Sequence, residues 1–422
     1  MGRMTADFLL ELRSEEIPAR MQAGARNDLA RMFAEELDRA GLSNEGIDVF
    51  STPRRLALIA RGIPLETQAR SEEIKGPRAN APPQAIEGFL RKTGLKRGQL
   101  EERDGVLFAT VETKGQPTRE LLGTMVERIV RTFPWPKSMR WGEASISTAS
   151  LRWVRPLHGI VAILGDEIVP VSIDGIESGA TTYGHRFHHP GPITVGGAGD
   201  YAEKLRACHV IVDQEERERI IREGAEEAAK KGKLALIADE GLVVENAGLT
   251  EWPVPLLGRF DPDYLDVPRE VIVLTMRANQ KYFACTGEDG GLAPAFVCIA
   301  NIDASDGGKA IVEGNRRVLA ARLADARFFW EQDLKVPLEE QAEKLGGIVF
   351  HEKLGTVAQR VDRIATIASE WLPERIGWPE AKARKMQPIL RKAAELAKAD
   401  LVTGMVGEFP ELQGVVGAYY AR

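Results

Sequence analysis

The chain has 422 residues, which is more than one hydrophobic core of about 250–300 residues usually holds, so its length predicts two to four domains. Hydrophobic residues make up 44% and charged residues 28% of the sequence, a composition typical of a soluble globular protein. The formal net charge of −6 excludes a global basic field, so any contact with nucleic acid must come from local patches.

The amino terminus and the cysteines indicate the compartment. The first fifteen residues contain acids and only a short apolar core, Phe8 to Leu10 with Leu12 beyond it, so they do not form a signal peptide. No apolar run reaches the roughly 18–20 residues that cross a bilayer, which argues against membrane insertion. The 3 cysteines are far apart and form no Cys-x-x-Cys pair, which argues against a zinc ribbon or disulfides. We therefore expect a cytoplasmic protein.

The first elements read as a strand, a helix and a strand. Asp7 to Leu12 alternates enough to predict a strand. Pro18 opens a helix whose apolar residues recur at helical spacing, and Gly41 closes it. Pro53 ends one extended segment, and Leu56 to Ile63 begins the next strand, with a pair of arginines at the turn between them.

A loop, a helix, a strand and a helix are predicted next. The segment from Ala69 to Pro83 is rich in charge, proline and glycine, which predicts a loop. A helix from Pro83 to Thr93 follows it. Leu107 to Val111 and Leu121 to Phe133 then supply another strand and another helix.

The stretch from Arg128 to Arg155 is the most basic part of the chain. It contains 6 cations and a single acid, Glu143, and the aromatic residues among them are Phe133, Trp135, Trp141 and Trp153. Cations among aromatic rings suit a nucleic-acid surface, because the cations neutralise phosphates while the rings stack on unpaired bases. Equally, the tryptophans could anchor the edge of a core that the arginines surround. The sequence leaves both interpretations open.

A histidine cluster follows a predicted pair of short strands within residues 157–171. The segment GHRFHHP, Gly184 to Pro190, could in principle ligate a metal, but no carboxylate or cysteine stands at useful spacing. A turn that enters a strand at Ile193 is the favoured interpretation. Asp200 to Cys208 and Gln214 to Lys231 are predicted helices.

Residues 271–333 read as a strand, a strand and a helix. Val271 to Met276 is almost continuous in β-branched and aliphatic residues, which predicts a strand buried on both faces, and Ala295 to Ile302 has the same character. The helix is predicted to begin after Gly314-Asn315. Its apolar stripe consists of Leu319, Leu323, Ala326 and Trp330.

The other faces of this helix carry charge, from Arg316, Arg317, Arg322, Asp325 and Arg327. The favoured interpretation is a solvated face whose arginines pair with acids three or four residues away; contact with RNA is the alternative. At the end of the preceding strand stand Gln280, Lys281 and Tyr282, where exposed polar residues are ordinary.

After Pro337 the pattern becomes helical. Helices are predicted over Leu338 to Phe350, Thr356 to Leu372 and Glu380 to Thr403, and no strand pattern returns. The fold class predicted is therefore multidomain α+β. It consists of a mixed α/β amino-terminal region over residues 1–150, a central α+β domain over 151–337, and the start of an all-α domain over 338–422 that looks cut short.

Taken together, the ordered sequence blocks resemble the beta subunit of bacterial tetrameric glycyl-tRNA synthetase, the type built from two kinds of chain. The resemblance covers essentially the whole sequence. The blocks are LLELRSEEIPAR, TPRRLA, KGPR, FPWPKSMRWG, RPLHGIVAILG, GHRF, TEWPVPLLGRF, TMRANQKYF, GNRRVLAARLADARFFWEQDL and KADLVTGMVGEFPELQGVVGAYYA. Family members continue into a body region and an anticodon-binding domain, so anticodon recognition is not expected of these residues.

In that family the alpha subunit, a class II synthetase core, activates glycine with ATP and Mg²⁺. The resemblance implies a non-catalytic, tRNA-engaging beta subunit that acts with alpha subunits, as alpha2beta2, on tRNA(Gly). It implies no cofactor in this chain. The sequence agrees, because it has no class II ATP-binding signature. A phosphate loop also fails at Gly307-Gly308-Lys309, since Ala310 and Asp303 stand where Ser or Thr and Gly are needed.

Two parts of the chain resemble known modules. The central domain resembles the editing-type module of phenylalanyl-tRNA synthetase beta chains, and the carboxy-terminal helices resemble an HD domain. The HD resemblance places Val357 at the first metal-ligand position and Ala399-Asp400 at the His-Asp pair. Of these three positions, only Asp400 carries a side chain that can ligate a metal. A metal-dependent phosphohydrolase is therefore the alternative function, and a pure assembly subunit without RNA contact is the third.

We expect no catalytic residue and no metal site. The residues predicted to contact RNA are the cations of the basic stretch, the two arginines at the turn after Pro53, and one lysine of the central block. They are Arg54, Arg55, Lys137, Arg140, Arg152, Arg155 and Lys281.

Overall fold

The computed structural model describes residues 4–68, 70–113 and 115–422, and these divide into two units. The first unit extends to Glu218 and includes Ala247–Trp252, and the second consists of Arg219–Asn246 and Pro253–Arg422. Both contain helices and sheets, so the chain is mixed α/β and multidomain, as the sequence predicts. The predicted boundaries near residues 150 and 337 stay predictions.

Up to residue 207 the elements are, in order, β1 (Thr5–Ser14), α1 (Ala19–Ala40), β2 (Gly46–Thr52), β3 (Arg55–Pro64), β4 (Arg70–Arg78), α2 (Pro83–Thr93), β5 (Leu100–Arg103), β6 (Val106–Thr113), α3 (Thr118–Thr132), β7 (Leu157–Leu164), β8 (Glu167–Ile168), β9 (Ser172–Ile173), β10 (Ile176–Gly179), β11 (Thr181–Tyr183), β12 (Pro192–Thr194) and α4 (Ala198–Ala207).

From residue 214 they are α5 (Gln214–Lys231), β13 (Ala235–Leu236), α6 (Glu240–Ala247), β14 (Val254–Arg259), α7 (Arg269–Thr275), β15 (Phe283–Thr286), β16 (Leu292–Ala300), α8 (Lys309–Asp333), α9 (Leu338–Glu343), β17 (Val349–His351), β18 (Gly355–Thr356), α10 (Val357–Thr366), α11 (Leu372–Arg375), α12 (Glu380–Leu396), α13 (Gly404–Glu408) and α14 (Val415–Tyr420).

Strand β1 is the centre of the first unit. It pairs antiparallel with β3 on one side and with β7 on the other, in a sheet of order β2-β3-β1-β7-β10-β9. Successive side chains of a strand point to opposite faces. Phe8, Leu10 and Leu12 therefore pack against α1 and α3, while Leu9 packs on the opposite face, against α4. The sheet is covered on both faces, and the core lies on either side of β1.

Helix α1 confirms the prediction made from its two ends. Pro18 precedes its first residue, and Gly41 follows its last with φ of 69°, a left-handed conformation that glycine adopts without strain. The Gly41 N–H donates to backbone carbonyls of the last turn, so the turn is closed by its own backbone. On the buried side, the Phe33 ring stacks on that of Phe8 with centroids 5.5 Å apart.

In the second unit a four-stranded sheet of order β13-β15-β16-β14 packs against α7 and α8. The Tyr282 and Phe296 rings stack with centroids 4.8 Å apart, and Leu319 and Leu323 of α8 are buried beside them. This confirms the predicted apolar stripe of the long helix. Within the described ranges, no helix combines the length and the apolar character that crossing a bilayer requires.

The strand predicted over Val271 to Met276 is wrong, because this run forms helix α7 and the first residue of a π-helical turn, Met276–Gln280. Val271, Ile272, Thr275 and Met276 are buried, a spacing of one helix face. The Thr275 hydroxyl donates to the Val271 carbonyl at 2.7 Å, one turn earlier. A short run of buried aliphatic residues does not distinguish the two periods, and tertiary packing decided for the helix.

The loop predicted from Ala69 to Pro83 is also wrong over most of its length. Ala69 lies outside the described residues, and the residues after it form β4, which pairs antiparallel with β6 in a sheet of order β4-β6-β5. As an edge strand, β4 exposes the charged side chains of Glu73, Lys75 and Arg78 and carries a proline near its end, which edges tolerate. Its polar composition therefore marks an edge and not a loop.

Two boundaries in the second unit also differ from prediction. Helix α8 begins at Lys309 and not after Gly314-Asn315, because Gly308 at φ 83° turns the chain and the Asp306 carboxylate accepts from the Ala310 N–H at 2.8 Å. The helix predicted over Leu338 to Phe350 ends early. It gives way to the short antiparallel pair β17 and β18, so the region is not all-α as predicted.

Candidate nucleic-acid interface

The most basic stretch of the chain folds back on itself. Met139 and Trp153 form an antiparallel bridge in which the two N–H···O distances are 2.8 Å and 3.2 Å. Arg140 and Arg152 are the residues next to this bridge, and Lys137 and Arg155 each lie two residues from it along the chain. We call the two facing segments, 137–140 and 152–155, the basic bridge. It brings together four of the cations that the sequence predicts as RNA contacts.

The aromatic residues of the same stretch face inward. Phe133, Trp135 and Trp153 pack on one another with ring centroids 4.8–5.1 Å apart, and Trp153 is fully buried. Trp141 is half-buried against the same core. Of the two interpretations that the sequence leaves open, the core edge therefore describes the aromatic rings. The rings therefore pack beneath the basic bridge as part of the core, and the buried ones cannot stack on bases.

The cations of the basic bridge have no acidic partner among the residues that the structure describes. Lys137 and Arg152 are exposed, whereas Arg140 and Arg155 are half-buried and donate to the backbone carbonyls of Thr148 at 2.9 Å and Val154 at 2.8 Å. No carboxylate of the described residues lies within ion-pair distance of any of the four. Arg128 and Arg131, by contrast, pair with Glu36 at 2.6 Å and Asp174 at 3.0 Å. The bridge therefore leaves four charges that only ions or an anionic partner can balance.

Arg54 and Arg55 are adjacent in sequence but have opposite surroundings. Arg55 is 1% exposed and forms ion pairs with Glu11, at 3.3 Å, and with Glu251. Burial lowers its pKa, but the two carboxylates outweigh burial and raise it above the ordinary value. Arg54 is half-buried; burial lowers its pKa more than the attraction of Glu251 raises it. A fully buried guanidinium presents no surface to RNA, so Arg55 does not fit the role of an RNA contact that the sequence predicts for it.

Lys281 lies in the second unit, directly after the π-helical turn that follows α7. It adopts φ of 59°, and its ammonium pairs with Glu245 at 3.0 Å and donates to the Ala278 carbonyl at 3.0 Å. Its backbone carbonyl accepts from the Asn246 amide at 3.1 Å. The residue is part-exposed, so its ammonium is reachable but already shared with one acid.

The charged faces of α8 confirm the favoured interpretation for three of the four arginines, since Arg322 forms no ion pair with a described residue. Glu313 accepts from Arg316 at 2.8 Å and from Arg317 at 3.0 Å, and Arg327 pairs with Glu331 at 2.8 Å. These are partners three and four residues away, which lie on one helix face. Each of these three arginines therefore has an acidic partner on its own helix, and Glu313 is shared by two of them.

The histidine cluster has a structural explanation. His185 is fully buried, and its Nδ1 accepts from the backbone N–H groups of Phe187 and His188, both at 3.3 Å. The predicted turn and the strand at Ile193 are confirmed, since β12 spans Pro192–Thr194. Among the described residues, no three His, Cys, Asp or Glu side chains are arranged to hold a metal ion.

The positions that the HD resemblance matches do not fit a metal. Val357 and Ala399 are buried and carry no donor atom. The Asp400 carboxylate is buried too, and it accepts from the backbone N–H of Gly417 at 3.2 Å and from that of Gly414. Asp400 thus holds the first turn of α14 in place. A single carboxylate that already accepts these hydrogen bonds cannot hold a divalent cation.

One exposed group was missed by sequence reasoning. The GHRF segment was weighed as a metal site or a turn and not as a contact surface, yet it exposes Arg186 and Phe187, and Phe187 is the most exposed aromatic residue described in the first unit. The signal that could have found it was an arginine and an aromatic residue side by side in a predicted turn, where exposure is ordinary.

Comparisons with known proteins identify the family. A model of the glycyl-tRNA synthetase beta subunit family matches residues 8–422. The glycine–tRNA ligase beta subunit of Phenylobacterium zucineum is 53% identical over 417 residues, 98% of this chain and 61% of that protein. That of Paracoccus denitrificans is 48% identical over 426 residues, 98% of this chain and 60% of that protein.

A more distant relative gives the same picture. The glycine–tRNA ligase beta subunit of Rhodospirillum centenum is 45% identical over 446 residues, 99% of this chain and 61% of that protein. The chain thus spans about three fifths of the length of the curated relatives it matches. The match extends through both units, and from this agreement we conclude that the chain belongs to the glycyl-tRNA synthetase beta subunit family.

Proposed function

We propose that this chain is the tRNA-engaging part of a glycine–tRNA ligase beta subunit and that it forms no bond itself. An alpha subunit would activate glycine with ATP and Mg²⁺, in a cytoplasmic alpha2beta2 assembly that acts on tRNA(Gly). Support comes from the family and from the relatives, whose names specify a beta subunit of that ligase. The observation that carries the RNA-binding part is the basic bridge, with four cations and no carboxylate in reach among the described residues.

The charge distribution favours a phosphate partner for the bridge. With a net charge of −6, the chain as a whole repels RNA, so a local cluster must supply the attraction. Cations that neutralise phosphates release condensed counterions, and the affinity then falls steeply with salt. Arg128 and Arg131, which flank the bridge and pair with Glu36 and Asp174, are not needed for this role.

We propose a structural role for most of the remaining chain. The central region over 151–337 is proposed as a scaffold related to the editing-type module, with no hydrolytic residue carried over. The helices from 338 onward are proposed as an HD-like scaffold without metal chemistry, because Val357, Ala399 and Asp400 supply one carboxylate, and backbone N–H groups already engage it. Lys281 is proposed as a further RNA contact that would exchange Glu245 for a phosphate.

The proposal is tested first by binding. Lys137→Ala combined with Arg140→Ala should weaken the affinity for tRNA(Gly), because two uncompensated charges are removed. It should also lower the slope of log affinity against log salt by about 0.7–0.9 for each phosphate that the variant no longer neutralises. Arg316→Ala combined with Arg317→Ala is the matched control, since those charges are already paired. Equal affinity and slope for the bridge variant and the unaltered chain would exclude the bridge.

The second test is functional. Attachment of glycine to tRNA should be measured with the alpha subunit alone, with alpha plus this chain, and with alpha plus a full-length beta subunit. We expect this chain alone to be inactive. Adenylation of glycine by this chain alone would overturn the proposed division of labour. Binding to alpha subunits without any affinity for tRNA would favour a pure assembly subunit.

A further inference from the structure

A second surface of the first unit combines exposed rings with arginines. Phe187 is 71% exposed and Tyr183 is 36% exposed. The guanidinium of Arg13 lies 4.4 Å from the centroid of the Tyr183 ring. Arg186 precedes Phe187 in the same turn and is exposed, and Arg54 is half-buried nearby. We call these five residues the aromatic–arginine surface. A single exposed ring is ordinary, but rings placed among guanidinium groups are a specific combination.

The surface lies where one face of the central sheet reaches solvent, at the carboxyl end of β1. Leu9, Glu11 and Arg13 alternate along β1, so they point to the same face. On this face the chain passes from an apolar cluster at Leu9, through the buried pair Glu11 and Arg55, to the part-exposed Arg13. Pairing of β1 with β3 places Arg13 opposite Arg55. The buried charges therefore lie directly behind the exposed ones.

Those buried charges fix the segment that carries Tyr183. Arg55 donates to the Tyr183 carbonyl at 2.7 Å, and the Thr182 hydroxyl donates to Glu11. Glu11 also accepts from the buried Tyr201 hydroxyl at 2.6 Å. Charge-assisted hydrogen bonds of this kind are strong and directional. Arg55 thus acts as a positioning residue for the surface, and not as a contact.

The turn that carries Phe187 is fixed from inside as well. The buried His185 accepts from the N–H groups of Phe187 and His188, and the His189 N–H donates to the His185 carbonyl at 2.9 Å. Gly184 fits tightly, because a Cβ there would lie 2.8 Å from the His189 carbonyl oxygen. An apolar ring held outward by a fixed turn is pre-organised for a partner.

Two arginines of this surface, Arg186 and Arg54, are only weakly engaged. Arg186 pairs with Glu15 at 3.3 Å and Glu16 at 3.5 Å, and all three side chains are exposed, so the pairs contribute little and are screened by salt. Glu15 is also shared with His158 at 3.0 Å. The buried Nε of Arg54 has no hydrogen-bond partner among the described residues, and no described carboxylate lies within ion-pair distance of its guanidinium. A phosphate could replace these partners at small cost.

We propose that the aromatic–arginine surface binds an unpaired stretch of RNA, with Tyr183 and Phe187 stacking on bases and Arg13, Arg54 and Arg186 contacting phosphates. The inference rests on the proposed function, because it takes the RNA partner from it and adds a second contact to the basic bridge. Unpaired bases fit because they expose flat faces that rings can stack on, whereas a duplex hides them. An acidic peptide would satisfy the arginines but not the rings.

The test uses the 422-residue chain with two labelled probes, a tRNA(Gly) transcript and a short oligouridine. Phe187→Ala should weaken oligouridine binding by about tenfold and leave the salt slope unchanged, because stacking releases no counterions. Arg186→Gln should lower that slope by about 0.7. Phe328→Ala, which removes an exposed ring from α8, is the matched control. Ultraviolet cross-linking should join uridine to a peptide that contains Tyr183 or Phe187.

The outcomes separate the two proposals. If the unaltered chain binds neither RNA, the proposed function and this inference fall together. If it binds tRNA(Gly) while Phe187→Ala matches the control and cross-links map elsewhere, only the inference falls. Polyglutamate provides negative charge without bases, so competition by it as strong as that by oligouridine would also overturn the stacking proposal.

Discussion

The basic bridge and helix α8 both carry clustered arginines, but they use them differently. On α8, Glu313 and Glu331 stand three or four residues from Arg316, Arg317 and Arg327, and these three arginines are paired, whereas Arg322 pairs with no described acid. In the bridge the cations stand on two facing segments without helical spacing, and described carboxylates are out of ion-pair reach. The number of arginines therefore says little about binding. What matters is whether the local geometry supplies an acid.

The largest effect that tests this distinction is expected inside the protein. Arg55→Met should lower the free energy of unfolding by about 3–5 kcal/mol, because Glu11 and Glu251 are left buried without their counter-charge. Arg54→Met is the matched control at the adjacent position. It should change that free energy by less than about 1 kcal/mol, since it breaks no ion pair among the described residues. Urea unfolding of both variants measures the difference.

Equal destabilisation of the two variants would contradict this expectation. It would mean that ion pairing does not determine how much Arg54 and Arg55 contribute to the free energy of unfolding. Arg55 donates to the Tyr183 carbonyl and so holds the segment that carries this ring. A folded Arg55→Met variant should therefore weaken oligouridine binding by displacing Tyr183, and not by losing a direct contact with RNA.

The parts of the fold that could be predicted from the sequence are those whose signals are local. The ends of α1 were readable because Pro18 and Gly41 act through their own backbone conformations. Helix α2 was predicted with both of its bounds, Pro83 and Thr93. The strand predicted for α7 failed because its residues favour strands locally and the helix is imposed by packing.

The candidate site was predictable in composition but not in burial. In the sequence, Arg54 and Arg55 are indistinguishable as two adjacent arginines at a turn. Their burial differs in the structure because Glu251, 196 residues away, lies beside Arg55. Trp153 carries the same ambiguity, since its burial follows from packing with Phe133 and Trp135. Long-range contacts of this kind leave no spacing in the sequence that can be read.

The next effect in size concerns RNA affinity. Changing Lys137, Arg140, Arg152 and Arg155 together to Gln should weaken tRNA(Gly) binding on the order of 10- to 100-fold at low salt, each charge contributing a fraction of a kcal/mol. The free energy of unfolding should fall by no more than about 1–3 kcal/mol, because the variant loses the hydrogen bonds of Arg140 and Arg155 to backbone carbonyls but no ion pair with a described residue. Arg316→Gln combined with Arg317→Gln should leave the affinity unaltered. Fluorescence titration measures the binding, and a weakening in the α8 variant equal to that in the bridge variant would erase the distinction.

The smallest expected effect is the titration of Glu313 itself. Hydrogen bonds from Arg316 and Arg317 lower its pKa to about 2 from the ordinary 4.5. Because the folded pKa is the lower one, the contribution of these pairs to stability is complete above about pH 4.5, and it is lost as the pH falls toward about 2. A carboxyl-carbon NMR titration should place the midpoint near 2, and Arg316→Gln with Arg317→Gln should return it toward 4.5. A midpoint near 4.5 in the unaltered chain would mean that α8 offers free arginines in solution, and the basic bridge would then no longer differ from it in charge available to RNA.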